Sequence, residues 1–413
     1  MSELLSGYRV IESSVLLNGA STSMMLVDLG AEVIKVESPF LGDYLRLEET
    51  FHFHLQTNKG KRSIALDMRK DAAREVFYRL LETADVFVTN APGNNNAKLG
   101  LSFEDLRERK PDIVYCQNTG FGAAGPYAQV PAHGQMMDAL AGAQPAEMDS
   151  DGLTRPKSYV RRTGRMVAGG EGTAAGAIYA AFHIAAALAH RERTGQGCYI
   201  DVSSADAVIA SAWTAASGQL NVPLAQQTWR EETAMRAVAR YQWYETRDHR
   251  FVLFCPEETK FWNRFCDLVG RGDLKEQQSG VTLRHEIQKI FHTRDQAEWM
   301  RLAIEHRLPI GPAYDEMDEI KADPHVQARG ILHDAHIPGH GDFTYIAQPA
   351  RIGGQQPVAR TPAPHLGQHT HEILLELGYT PERIEQLARE FVTTAEKQAE
   401  GYMARHMFGT QQR

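Results

Sequence analysis

The chain has 413 residues, 43% hydrophobic and 23% charged, as expected of a soluble globular protein with two or three domains' worth of core. A net charge of −8 excludes a general nucleic-acid binder, because neutralising phosphates takes a basic face; a small phosphorylated ligand held by a few local cations remains open. Cys116, Cys198, Cys255 and Cys266 are widely spaced and form no CxxC pair, so no metal site, disulfide framework or permanently bound cofactor is expected. The opening MSELLSGYRV lacks the basic-then-apolar pattern of a signal peptide, and the expected compartment is a reducing cytoplasm with no membrane association.

Residues 8–12 read as a strand, 15–30 as a helix that starts on small residues, and 31–37 as a second strand, the β-α-β unit of a parallel sheet. The strand-to-helix turn of such a unit is where α/β sheets bind ligands. Lys59, Lys61 and Arg62 lead into a strand at 63–67. A helix is expected at 72–83 and a strand at 85–89, ending in the turn Asn90-Ala91-Pro92-Gly93. Ser102 with Asp105 three residues on is a capping-box pattern before a helix to 109, and 112–118 reads as another strand. The predicted class is α/β, with a Rossmann-like large domain. Gly120 to Gly125 match GxGxxG, but Pro126 follows where that motif needs a helix, so a surface loop is predicted.

The segment 166–206 carries the most information. Gly169, Gly170 and Gly172 form a small-residue turn, and 173–190 is Ala-rich without a single Asp, Glu, Lys or Arg. A buried soluble helix is predicted rather than a membrane span, given His183 and the alanine content. Glu171 sits at its mouth, where a helix dipole favours negative charge and where a plain helix-start residue would also sit. A strand at 198–202 and a helix at 205–218 follow. Residues 220–236 are polar and could cross between domains. Strands at 241–244 and 251–254 and helices at 260–269 and 282–307 suggest a smaller α/β domain. From 337 the chain is Pro/Gly/His-rich, as a long surface-running segment would be, before helices at 370–377 and after Pro381. The predicted division is 1–224, 225–330 and a returning segment 331–413.

Nine stretches in order resemble one family: LGAEVIKVE at 29–37; GD at 42–43 with Arg46; NKGKRSIALD at 58–67; ADVFVTN at 84–90; LGL at 99–101; GFG at 120–122 with GPY at 125–127; RERTGQG at 191–197; DPH at 323–325 with ARG at 328–330; and LGQHT at 366–370. They are similar to the class III coenzyme A transferases, which include formyl-CoA and carnitine CoA-transferases and the α-methylacyl-CoA racemases. The resemblance implies a large Rossmann-like domain built from both chain ends, a small domain, and two subunits threaded through each other as an interlocked-ring homodimer. It implies a coenzyme A thioester as substrate, with carboxylic acids as the other small-molecule partners. By matching position, CoA would lie against Leu16, Asn18, Leu66, Arg69, Asn90, Lys98 and Leu99. Arg69 and Lys98 suit its phosphates and would equally suit a solvated surface.

One position departs from the pattern. In the transferases an aspartate at the start of the long helix attacks the acyl-CoA, four residues before a glycine, and splits the transfer into two easier steps. Counting back from Gly176 reaches Gly172, and Glu171 is the adjacent carboxylate. His133 and Glu258 fall where the racemases carry bases that take and return an α-proton. Three readings follow: a CoA-transferase with Glu171 as displaced nucleophile; a 2-methylacyl-CoA racemase or epimerase using His133 and Glu258; and a catalytically silent CoA-binding subunit in a heteromer with a paralogous partner. Arg161, Arg162 and Arg165 precede the turn and could face a second carboxylate.

Overall fold

Strand alternation sets the first layer of the architecture. In the computed structural model, which describes residues 3–143, 145–156, 171–221 and 236–393, β1 (Arg9–Ser13), β2 (Glu32–Glu37), β3 (Arg62–Ala65), β4 (Val86–Thr89), β5 (Val114–Thr119) and β8 (Cys198–Ser203) form one sheet. Their order is β3-β2-β1-β4-β5-β8, every pairing parallel. Successive residues point to opposite faces, so Ile11, Ile34, Phe87 and Tyr115 enter one core, and Val10, Val33, Val86 and Val114 enter the other. With both faces covered, the strands read as nearly continuous apolar runs.

Helices supply the outer layers: α1 (Leu17–Asp28), α2 (Phe51–Asn58), α3 (Asp71–Glu82), α4 (Phe103–Arg109), α5 (Met136–Leu140), α6 (Glu171–Thr194) and α7 (Ser204–Ser211). A further helix, α8 (Trp213–Leu220), follows α7 in the chain. The Ser102–Asp105 capping box before α4 forms as expected. Between α5 and α6 lies a small antiparallel pair, β6 (Ala146–Met148) and β7 (Thr154–Pro156). The GxGxxG stretch is turn and bend, with no helix until Met136.

The described residues cluster into two compact units, one of 3–143, 145–156, 171–213 and 324–393, the other of 214–221 and 236–323. In the second, β9 (Gln242–Glu245), β10 (Phe251–Phe254) and β11 (Ile310–Ala313) form an antiparallel sheet. Against it pack α9 (Thr259–Leu268), α10 (Val281–Phe291) and α11 (Gln296–His306), around Phe254, Trp262, Phe265, Phe291 and Trp299. A short α12 (Met317–Ala322) closes the unit. The first unit resumes with α13 (Pro324–Arg329), β12 (Leu332–Ile337), β13 (Gly341–Ile346), α14 (Thr370–Glu376) and α15 (Pro381–Arg389).

Four expectations need correction. The stretch 282–307 is two helices, because Asp295 and Glu298 form a capping box that starts α11 anew. The stretch 205–218 breaks at Ala212. The residues from 337 are not simply surface-running: β12 and β13 pair as a hairpin whose turn is the Pro/Gly run, with Gly339 and Gly341 at φ 81° and 90°, and Ile337 and Tyr345 pack on Leu55 of α2. Finally, α6 is buried on one face only. It is long and apolar enough to cross a membrane. Ala177, Ala180, Ile184 and Leu188 face the sheet core, whereas Ile178 and Phe182 are 56% and 65% exposed.

Candidate active site

The winding of the sheet reverses between β1 and β4, and a crevice opens beyond the carboxyl ends of neighbouring strands at such a point. Two cavities lie there. One, about 580 Å³, is lined by Val15, Leu16, Leu17, Asn18, Leu45, Leu47, Phe53, Thr119, Gly120, Phe121, His133 and Thr173, among others. No Lys or Arg lines it among the described residues. The other, about 610 Å³, is a groove lined by Ser14, Val15, Phe40, Leu66, Arg69, Asn90, Pro92 and Leu99, among others. Val15, Asn90 and Pro92 belong to both, so groove and chamber adjoin.

Small residues bring the walls close. At Gly19 a Cβ would stand 2.2 Å from the Ser14 Cβ, and at Gly176 2.2 Å from the Ser204 Oγ. Gly19 therefore lets α1 fold back tightly on the turn that precedes it, and Gly176 lets α6 pack closely against the start of α7. A polar chain runs through the contact: the Asn18 Nδ2 donates to the Ser204 Oγ (3.0 Å), which donates to the Asn118 Oδ1 (3.1 Å).

The turn after β1 is held in an unusual shape. Leu16 has φ 59° and ψ −155°, a region almost reserved for glycine, at a cost of about 1–3 kcal/mol. Its N–H donates to the Asp43 Oδ1 at 2.9 Å. The Asn90 amide grips Val15 from the other side, donating to its carbonyl (2.5 Å) and accepting from its N–H (3.2 Å).

Asp43 is in turn fixed by a buried charge network. The Lys35 Nζ lies 2.8 Å from the Asp43 Oδ2 and 2.5 Å from the Glu12 Oε1, and the Lys61 Nζ lies 2.6 Å from the Glu12 Oε2. Beside them Arg46 and the Ser63 hydroxyl donate to Glu37, at 2.7 Å and 2.6 Å, and Glu37 accepts from the Asp43 N–H at 3.1 Å. Burial opposes the charge on Glu12, yet Lys35 and Lys61 outweigh it and hold its carboxyl well below the usual range. Glu37 is likewise burdened by burial, and Arg46 lowers it to about 2. Burial pulls Lys61 down to about 8 against the attraction of Glu12. Lys35, Asp43, Arg46 and Lys61, from three of the nine motif stretches, thus support the turn from beneath and line neither cavity.

The expected CoA contacts divide accordingly. Leu66, Arg69, Asn90 and Leu99 line the groove, and Leu16, Asn18 and Asn90 line the chamber. The Arg69 guanidinium pairs with Asp67 at 2.7 Å and stands 5.8 Å over the Phe40 ring, with its side chain 74% exposed. Lys98 lines neither cavity; its ammonium is exposed and donates to the Asn95 Oδ1 at 3.2 Å. His133 is exposed at the chamber wall. Glu258 lies in the second unit, exposed at the N-cap of α9. Glu171 is the first residue of α6, but its side chain, like Arg161, Arg162 and Arg165, lies outside the described residues.

Two groups escaped the sequence reading. Thr119 is 5% exposed in the chamber wall, and its Oγ1 has no hydrogen-bond partner among the described residues, the kind of buried polar atom that calls for an explanation. Asp138, on α5, has no exposed surface, and its Oδ1 accepts the Gly172 N–H at 2.8 Å. Its sequence context, a lone acid between Met137 and Ala139, gives no hint of this.

Comparison with known proteins bears on the whole chain. The family model described as CoA-transferase family III matches residues 5–370. A succinate–glutarate CoA-transferase of Agrobacterium fabrum is 30% identical over 90% of this chain and 95% of its own length. A succinyl-CoA:mesaconate CoA-transferase of Haloarcula hispanica is 31% identical over 91% and 96%. Among solved structures, a CAIB/BAIF family protein from Brucella suis superposes with a TM-score of 0.69 at 26% identity, covering 91% of this chain and 100% of its own.

Proposed function

The chain belongs to CoA-transferase family III and is a CoA-transferase; from that premise we propose that it moves CoA from succinyl-CoA to a carboxylic acid with a largely apolar body. The observation that carries this reading is that groove and chamber adjoin, sharing Val15, Asn90 and Pro92. CoA would lie in the groove, with Arg69 against a phosphate. The acyl group would lie in the chamber, whose described walls are mostly hydrocarbon and include Thr173 near the start of α6. Transfer runs through an enzyme-bound carboxyl intermediate, so a carboxylate is needed at the mouth of α6, where Glu171 is the one the helix itself offers. Succinyl-CoA is the choice of donor because the Haloarcula hispanica relative is named for it.

The test is CoA transfer from succinyl-CoA to a panel of mono- and dicarboxylic acids, followed by chromatography of the thioesters. The highest kcat/KM is expected with acids whose body is hydrocarbon, and absence of transfer to every acid sinks the proposal. Arg69→Ala is expected to raise the KM for acyl-CoA about tenfold with kcat within about twofold, the signature of lost uniform binding.

His133 in the chamber wall is the one observation that favours the racemase reading. Heavy water without an acceptor acid separates the two: no deuterium at the α-carbon of 2-methylacyl-CoAs is expected. We read the protein as a homodimer of the interlocked kind. Ile178 and Phe182, one turn apart on α6, are exposed on the first unit, as are Tyr199, Ile209 and Trp213, apolar side chains that a partner subunit would cover. Light scattering is expected to give twice the 46.1 kDa of one chain, and full activity without a paralogous subunit is expected of the purified protein.

A further inference from the structure

We propose that Asp138 is the nucleophilic carboxylate of the transfer, standing in from α5 for the side chain that position 172 lacks. The inference rests on the reading above that transfer passes through an enzyme-bound carboxyl intermediate. The space a side chain at 172 would fill is already taken: a Cβ there would lie 3.2 Å from the Asp138 Oδ1 and 2.7 Å from the Met137 Cβ. The carboxylate that a residue on the helix would project is delivered to the same point from a neighbouring one. It rests on the Gly172 N–H at 2.8 Å, at the positive end of a 24-residue helix.

Asp138 itself lines neither cavity, but its neighbours reach the chamber. Thr173, next to Gly172, lines the chamber. Gly120 lines it too, and the Sδ of Met137, the residue before Asp138, lies 3.5 Å from where a Cβ at Gly120 would stand. Asp138 is fully covered in the structure, so attack requires its side chain to leave the Gly172 N–H and the other contacts that hold it, turning past a residue with no Cβ.

The chemistry closes on itself. An Asp138 oxygen attacks the thioester carbonyl, the C–S bond breaks, and a mixed anhydride forms with release of CoA thiolate. The thiolate attacks the aspartyl carbonyl, expels the donor carboxylate and leaves an aspartyl-CoA thioester. The acceptor carboxylate attacks that thioester, giving a second anhydride and thiolate, and the thiolate attacks the acceptor carbonyl. The new acyl-CoA departs and Asp138 is a carboxylate again, with no net oxidation or proton change.

Asp138→Asn separates nucleophile from helix cap, because asparagine keeps a carbonyl oxygen for the Gly172 N–H and caps helices as well as aspartate. The variant is expected to fold with unchanged circular dichroism and to lose transfer from succinyl-CoA on the order of a thousandfold or more, the scale on which a lost nucleophile is felt. In the wild-type protein, succinyl-CoA followed by borohydride or hydroxylamine is expected to modify the peptide carrying Asp138. Modification at Glu171 in place of Asp138, or an Asp138→Asn protein that retains activity, overturns the assignment while leaving the transfer reading intact. A wild-type protein that transfers CoA to no acid overturns that reading and the assignment with it.

Discussion

Lys35→Met is expected to destabilise the protein by about 3–5 kcal/mol, seen as a fall in the urea midpoint with little change in slope. Lys35 has no exposed surface and holds two carboxylates at once, Glu12 at 2.5 Å and Asp43 at 2.8 Å. Methionine fills a similar volume but leaves Asp43 charged and buried with its counter-charge gone, and that uncompensated charge sets the size of the effect. Arg79→Met is the matched control. Its pair with Glu75 is exposed at both ends, 48% and 57%, and pairs of that kind are worth roughly 0–1 kcal/mol. If the two variants unfold at the same urea concentration, the buried network is not a main support of the fold. The Lys35 variant is also expected to lose kcat, because the Asp43 oxygen that holds the Leu16 N–H is no longer fixed.

Acidification is expected to remove a few kcal/mol of stability in two overlapping stages. Burial and the positive charge of Arg46 push His54 from 6.5 down to about 3, and its Nδ1 lies 3.0 Å from the Asn58 amide. Glu37 is lowered from 4.5 to about 2 despite burial, mainly by Arg46. Both folded-state values are depressed, so between the two values of each group the unfolded chain binds more protons. The stabilisation is complete above the unfolded value and is lost as pH falls toward the folded one. His54 therefore acts first, from about pH 6.5 toward 3, and Glu37 from about 4.5 toward 2. Urea unfolding across pH 3–8 reads this directly. His54→Gln is expected to flatten the curve between pH 6.5 and 4.5 while leaving the lower limb; an unchanged slope there rules out His54 as its source.

The parallel sheet was legible because periodicity and turn residues report local geometry. Residues 31–37 and 85–89 became β2 and β4 almost as read. The meaning of the charges within those stretches was not legible. Lys35 alternates with apolar neighbours like a residue on a solvated strand face, and only tertiary packing shows that Glu12 and Asp43, 23 and 8 positions away, close over it. The hairpin at 332–346 was missed for a related reason: its Pro-Gly turn resembles a loop until the flanking strands are seen to pair. At the candidate site, Leu66, Arg69, Asn90 and Leu99 line one groove, and that they hold CoA is part of the proposal. Asp138 did not announce itself, because the backbone N–H it meets is 34 residues along the chain.

Leu16 places fold durability and turnover under opposed selection. Leu16→Gly would remove the steric penalty at φ 59° and raise the melting temperature. It would also free the loop that Asp43 and Asn90 now clamp at the junction of groove and chamber. A library screened for heat resistance alone should therefore enrich glycine at this position, and the variants it returns should be sluggish catalysts.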